Sequence, residues 1–125
     1  MARILIIDDE DLIRGMLRQM FERAGYEVAD APNGKVGMQL YREHVADLIV
    51  TDIFMPEQDG LETITELQRD FPHARIIAIS GGCRTADFDG LSLAKELGAL
   101  RTLEKPFQQQ EMLGTVRELL ASEAS

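Results

Sequence analysis

At residues 47–56 the chain reads DLIVTDIFMP, and this stretch decides its fold. Residues 48–51 are consecutive apolar or β-branched side chains, a pattern typical of a strand buried on both faces of a parallel sheet. The run ends at the carboxylate of Asp52, and Pro56 indicates a turn soon afterwards. Because open α/β sheets bind ligands beyond the carboxyl ends of their strands, Asp52 is either a site residue or the cap of a loop or helix.

Strand and helix patterns alternate outward from this stretch along the whole chain. Apolar runs of strand length occupy residues 4–7, 27–29, 48–52, 75–79 and 100–103. Helical spacing of apolar residues follows each run, at residues 12–21, 36–43, 61–70, 91–97 and 107–121. The alternation predicts an α/β fold, a flavodoxin-like, doubly wound parallel sheet of five strands in the order 2-1-3-4-5 with five helices. Asp9 or Asp11 is expected to cap the first helix, and the Leu and Met residues of that helix are expected to be core.

Composition excludes several classes of function. The chain has 125 residues, 13 Lys plus Arg against 22 Asp plus Glu, and a net charge of −9, which argues against direct binding to nucleic acid or to an anionic membrane surface. Its single cysteine, Cys83, permits no internal disulfide, and no apolar run approaches the ~20 residues of a membrane span. We therefore predict a cytoplasmic protein with one domain over residues 1–121 and a short tail at residues 122–125.

Acidic residues follow the first and third predicted strands. Asp8 and Asp9 come directly after residues 4–7, and Asp52 ends the third strand. Close carboxylates repel one another by about 4 kcal/mol per pair at an effective dielectric near 20, so such a group must take up protons or hold a cation. Hard oxygen ligands favour Mg²⁺, with Mn²⁺ as an alternative. Simple helix capping remains the other interpretation of Asp8 and Asp9.

A hydroxyl and an ammonium group are expected at the same edge of the sheet. Ser80 follows the fourth predicted strand and Lys105 follows the fifth. A lysine can pair with a carboxylate at rest and with a phosphoryl oxygen later, and a serine can donate to such an oxygen. Asp52, near the centre of the sheet, is the candidate nucleophile toward phosphorus, giving an acyl phosphate. The added charge would then pull Ser80 and its loop toward the site.

These residues resemble the receiver domain of bacterial two-component response regulators. The matching pieces are residues 4–10, residues 47–56 with Asp59 and Gly60, residues 79–80, and residues 98–107. The resemblance covers essentially the whole chain. It implies a phosphorylation-controlled signalling switch that is not an enzyme, and since no output domain follows, the expectation is a stand-alone receiver.

The resemblance also implies roles for individual residues. Asp52 is the implied phosphoacceptor, charged by a sensor histidine kinase or a histidine phosphotransfer protein. Asp9, Asp52 and the backbone carbonyl of Phe54 are the implied ligands of Mg²⁺, and Asp8 acts mainly through a metal-bound water. The phosphoryl group would be bound by Ser80 and Lys105.

Three features depart from the family pattern. Thr102 stands where receivers usually carry an aromatic residue, so the switch predicted at Ser80 and Thr102 cannot use a rotating ring. The segment from residue 80 to residue 98 is about three residues longer than usual. Phe54 is bulky at a position flanking the phosphate and is expected to shield it from water. The downstream protein is unknown, and a phosphorylation-dependent homodimer is left open.

Three other functions compete with the signalling switch. A degenerate receiver would act as a phosphorylation-independent binding module. A phosphohydrolase with an aspartate nucleophile would need a second acid two residues after Asp52, where Phe54 stands. A nucleotide-binding or flavin-binding protein would need a phosphate-cradling loop at residues 8–11, where the chain has acids instead.

Overall fold

Strands and helices alternate through the part of the chain that the computed structural model describes, residues 2–53, 60–80 and 90–121. The strands are β1 (Arg3–Ile7), β2 (Glu27–Ala31), β3 (Leu48–Asp52), β4 (Ile76–Ser80) and β5 (Arg101–Glu104). The helices are α1 (Asp11–Arg23), α2 (Gly34–Glu43), α3 (Gly60–Asp70), α4 (Gly90–Leu97) and α5 (Gln109–Ala121). All strand pairs are parallel and the order is β2-β1-β3-β4-β5. The predicted fold class and strand order are confirmed.

The observed boundaries differ from the predicted ones by one or two residues. The largest change in a strand is at β2, which continues to Ala31 although the apolar run stops earlier. The reason is pairing, because β2 follows β1 as far as the Ile7–Ala31 pair. Similarly, β4 extends to Ser80, which pairs with Glu104 of β5. Backbone pairing with a neighbour therefore sets these ends more than the side chains do.

Two apolar layers cover the sheet, and alternate residues of each strand supply them. Leu5 and Ile7 of β1 face α2, α3 and α4, whereas Ile4 and Ile6 face α1 and α5. The first layer also contains Met38, Tyr41, Ile49, Ile53, Ile64, Leu67, Ile76 and Ala94. The second also contains Leu17, Phe21, Val50, Ile77, Ile79, Leu103, Met112 and Val116. Because both faces are covered, β3 and β4 are buried along their whole length.

The first helix differs from the prediction in two respects. Leu12 and Met16 are not core, since Leu12 is 89% exposed and Met16 is 47% exposed. The apolar residues of α1 cover an arc wider than its contact with the sheet, so Leu17 and Phe21 are buried and the other side of the arc faces solvent.

The predicted cap of α1 is also wrong. The N-cap residue is Glu10, and its side chain makes no capping hydrogen bond. The side chain of Asp11 instead accepts a hydrogen bond from Arg14 at 2.7 Å, and Glu10 reaches Lys105. The acids at this helix start are therefore engaged elsewhere.

The last helix packs its apolar face into the core. Met112, Val116 and Leu119 of α5 are buried, and Leu113 and Leu120 pack against the same layer at its margin. Each helix within the described residues is too short or too polar to cross a bilayer.

Candidate functional site

Four charged side chains meet beyond the carboxyl ends of β1, β3 and β5. The ammonium group of Lys105 lies 3.0 Å from an oxygen of Asp52, 3.2 Å from one of Asp8 and 3.2 Å from one of Glu10. Asp8 is fully buried and Asp52 is 4% exposed, whereas the side chain of Glu10 is 58% exposed. We call this group the acid corner. Its existence means that β1, β3 and β5 deliver their polar ends to one edge of the sheet.

Strand register explains why these residues meet. Ile7 of β1 is paired with Thr51 of β3, so the next residues, Asp8 and Asp52, stand side by side where the two strands end. On the far side, the backbone N–H of Lys105 donates to the carbonyl of Ser80 at 2.7 Å, which extends the pairing of β4 with β5. This bond holds the backbone of Lys105 at the edge of the sheet. From there its side chain extends past β4 to Asp8 and Asp52.

The pKa values of Asp8 and Lys105 are both raised by their surroundings in the acid corner. Burial raises the pKa of Asp8, and the negative charge of Asp52 adds to the rise, although the Glu10 N–H and Lys105 oppose it. Burial alone would lower the pKa of Lys105, but its hydrogen bond to Asp52 and the charges of Asp52 and Asp8 raise that pKa above its ordinary value. One firmly protonated lysine therefore faces an excess of negative charge.

The acid corner has the donor set of a hard cation site. Oxygen atoms of Asp8, Glu10 and Asp52 all lie within 4.8 Å of one another. Carboxylate oxygens are the ligands that Mg²⁺ prefers, and an octahedral ion with few protein ligands keeps positions for water and a substrate oxygen. The residues present therefore fit a magnesium ion.

The composition of this group differs from the predicted set. Asp9 is exposed and does not belong to the group of acids found among the described residues, and Glu10 takes its place. The cause is a tight turn in which Asp8 Oδ1 accepts the backbone N–H of Glu10 at 2.9 Å. Aspartate favours such turns, so the sequence contained a signal for Glu10 that was missed. The role of Asp9 as a metal ligand stays a prediction, and the Phe54 carbonyl lies outside the described residues.

The two predicted switch residues occupy neighbouring strands. Ser80 is buried at the end of β4, one position beyond the residue that pairs with Asp52. Thr102 is half-buried on β5, paired with Ala78. Because Leu103 faces the layer with α5, Thr102 lies on the opposite face of the sheet, toward α4. Residues 81–89, which include Cys83 and lie in the segment expected to be longer than usual, are outside the described residues.

Comparison with known proteins assigns the fold and the site to one family. A family model for the response regulator receiver domain matches residues 4–117, which include the whole acid corner. The chain belongs to this family. The receiver is 36% identical over 120 residues to the chemotaxis protein CheY of Bacillus subtilis, covering 94% of this chain and 97% of that protein.

Solved structures agree with the sequence comparison. A response regulator receiver domain protein from Clostridium thermocellum has a TM-score of 0.89 and 28% identity, covering 99% of this chain and 98% of the other. The response regulator TrrA of Thermotoga maritima, solved in complex with Mg²⁺ and BeF, has a TM-score of 0.82 and 29% identity, covering 95% and 99%. Receivers are signalling switches of two-component systems that bind Mg²⁺ at an acidic pocket, and the acid corner supplies such a group in this receiver.

Proposed function

We propose that this receiver accepts a phosphoryl group on Asp52 from a sensor histidine kinase or a histidine phosphotransfer protein in the cytoplasm, and that the modified protein binds a downstream protein. The observation that supports this most strongly is the single lysine held between two buried aspartates, Asp8 and Asp52. A cation already at the acceptor carboxylate offsets the charge that a transferred phosphoryl group brings.

The chemical step is a displacement at phosphorus. A carboxylate oxygen of Asp52 attacks, an O–P bond forms, and the P–N bond of the donor phosphohistidine breaks with its electron pair going to the imidazole. Lys105, 3.0 Å from Asp52, is placed to donate to a phosphoryl oxygen after transfer. The product carries about −1.5 to −2 units of charge, which Ser80 at the end of β4 can approach with its hydroxyl.

A magnesium ion at the acid corner would be held by Asp9, Asp52 and the Phe54 carbonyl, with Asp8 acting mainly through a metal-bound water, as the family resemblance implies. When bound it would offset negative charge on the phosphoryl oxygens. The chain's own contribution is to keep Asp8 and Asp52 buried and close together, at the cost of mutual repulsion. The exposed Glu10 can leave Lys105 without any change of backbone, because its side chain faces solvent.

The first experiment tests metal-dependent uptake. The purified receiver, incubated with phosphoramidate and Mg²⁺, is expected to gain one phosphoryl group that hydroxylamine removes, measured by intact-mass spectrometry. Without Mg²⁺, in excess EDTA, the same incubation should give less than a tenth of that product, because the repulsion between the acids and the incoming phosphate is then opposed by Lys105 alone. A receiver that stays unmodified with Mg²⁺ would be a degenerate one.

A largely apolar groove borders the acid corner on the side of α1. The groove of about 380 Å³ runs from Glu10 and Lys105 past Ile13, Met16 and Phe107. Leu12, which is 89% exposed, precedes Ile13 on α1 and lies one helical turn before Met16. Because Glu10 and Lys105 of the acid corner line this groove, we propose that the helix carrying the donor histidine packs along it against α1.

Negative charge introduced along this groove is expected to slow transfer from a protein donor but not uptake from a small phosphodonor. In the double variant Leu12→Glu, Met16→Glu, transfer from a phosphorylated histidine kinase that modifies the wild type is expected to be at least tenfold slower, because an apolar contact is lost and two charges are introduced. Uptake from phosphoramidate should stay within twofold, since α1 keeps its buried face. Val45→Glu is the matched control at an exposed apolar residue outside the groove. Equal slowing with both donors would refute the docking surface.

A further inference from the structure

Arg14 of α1 joins three parts of the chain through one side chain. Its Nη1 donates to the backbone carbonyl of Asp8 at 2.8 Å. Its Nε donates to Asp30 of β2 at 3.2 Å, and its Nη2 donates to Asp11 at 2.7 Å. The guanidinium is planar and rigid, so the three acceptors are held in fixed relation to one another. The first acceptor belongs to residues 8–10, which connect β1 to α1 and which we call the loop of the acid corner. The second belongs to the edge strand β2 and the third to the start of α1.

The contact with Asp8 completes a clamp on that residue. The backbone N–H of Asp8 already donates to the carbonyl of Ala31 at the end of β2, at 3.1 Å. Arg14 then fixes the carbonyl of Asp8 and is itself anchored one residue earlier on β2, at Asp30. Both polar groups of the Asp8 backbone are therefore tied to β2. Because the backbone is fixed in this way, the side chain of Asp8 is directed toward Lys105 and Asp52.

Arg18 provides a natural comparison with Arg14. It lies one turn later on α1 and donates to the other oxygen of Asp30, at 2.8 Å. Its other ion pair is with Glu22, 3.4 Å away on the same helix. Both arginines thus share the anchor Asp30, but a hydrogen bond of Arg14 reaches the acid corner, whereas the ion pairs of Arg18 are with Asp30 and Glu22.

We infer that Arg14 is a positioning residue for metal binding, which fixes the loop of the acid corner so that its carboxylates converge on one cation. The inference rests on the proposed magnesium-dependent function. Residues that orient metal ligands through hydrogen bonds commonly change metal affinity by 10-fold to 100-fold when replaced. Arg14 does so through the Asp8 backbone and touches neither the phosphoryl group nor the ion.

The direction in which Mg²⁺ affinity changes when Arg14 is removed distinguishes a positioning role from an effect of its charge. Arg14 is a cation close to a cation site, so its charge alone disfavours Mg²⁺, and its removal would then tighten binding. Loss of positioning has the opposite result, because ordering the loop becomes part of the cost of binding. A weaker affinity in a variant that has lost a positive charge therefore cannot arise from electrostatics.

The test is titration calorimetry of the full chain with MgCl₂ after removal of metal with EDTA, with the fold checked by circular dichroism. Arg14→Ala is expected to bind Mg²⁺ about tenfold more weakly than the wild type. Arg18→Ala, which removes an ion pair with the same aspartate, should stay within twofold or bind slightly more tightly. Arg14→Lys, which keeps the charge but has one donor group in place of the fork, should lose at least threefold, and it carries the test where Arg14→Ala does not fold.

The outcomes are distinct from one another. If the wild type binds Mg²⁺ and Arg14→Ala or Arg14→Lys binds it with the same affinity, the inference is wrong and the proposed function stands. The same holds if Arg18→Ala loses as much Mg²⁺ affinity as Arg14→Ala. A wild type that binds no Mg²⁺ overturns the proposed function and the inference together.

Discussion

Asp52→Asn is expected to take up no phosphoryl group under conditions in which the wild type is fully modified. The substituted amide keeps an oxygen that can accept the hydrogen bond from Lys105, now 3.0 Å from the carboxylate, so the fold should survive. What disappears is the anionic nucleophile, because an amide oxygen does not displace a leaving group from phosphorus. The measurement is intact-mass spectrometry after incubation with phosphoramidate and Mg²⁺.

A matched control lies at the other end of the same strand segment. Asp47 directly precedes β3, and its carboxylate accepts the backbone N–H of Arg3 at 2.7 Å, a bond that an amide oxygen can also make. Asp47→Asn removes the same charge at a distance from the acid corner and should be labelled as fully as the wild type. Labelling that persists in Asp52→Asn would move the acceptor to another residue, with Asp8 as the next candidate because of its burial and proximity.

The sequence predicted the sheet because its signals are local and strong. Strands β3 and β4 are buried on both faces, so their runs at residues 48–51 and 76–79 contain few polar residues and cannot be confused with exposed segments. Parallel order then followed from the alternation with helices, and with it the convergence of Asp8, Asp52 and Lys105 at one edge. The positions of these residues depend on the topology of the sheet, which the alternation of strand and helix patterns predicts.

Features that depend on a single side-chain direction could not be predicted in the same way. Glu10 joins the acid corner because of a turn at Asp8, and the exposure of Leu12 and Met16 depends on the rotation of α1 about its axis. The helical spacing shows that an apolar arc exists, but not how much of it the sheet covers. The bond from Arg14 to Asp30 of β2 likewise joins two different elements, which no local pattern reports.

Lys105→Met is expected to lower the free energy of unfolding by about 3 kcal/mol at pH 7.5 without Mg²⁺. The lysine is 12% exposed, and its ammonium group is within 3.2 Å of both Asp8 and Asp52. Removing one partner of a buried charge pair leaves its partners with a desolvation cost that the lost cation had offset. Methionine retains much of the side-chain volume, so the loss should reflect charge more than packing. Urea unfolding followed by circular dichroism measures it.

The pH dependence of that loss follows from the direction of the pKa shifts. Without Lys105, the pKa of Asp8, already raised by burial, rises further because the opposing positive charge is gone. A carboxyl whose pKa is higher in the folded than in the unfolded protein binds protons preferentially when folded, so stability is gained as the pH falls through the folded pKa. The difference in free energy of unfolding between Lys105→Met and the wild type should therefore become smaller as the pH falls from 7.5 to 5.

Two comparisons make this result specific to the acid corner. Lys35→Met, at an exposed lysine of α2, should change the free energy of unfolding by less than about 0.5 kcal/mol at either pH. The double variant Asp8→Asn, Lys105→Met should recover part of the lost stability, because one of the two buried charges has been removed with the cation. If Lys105→Met were as stable as the wild type at pH 7.5, or if its deficit grew on acidification, the lysine would not be the charge that holds Asp8 and Asp52 together.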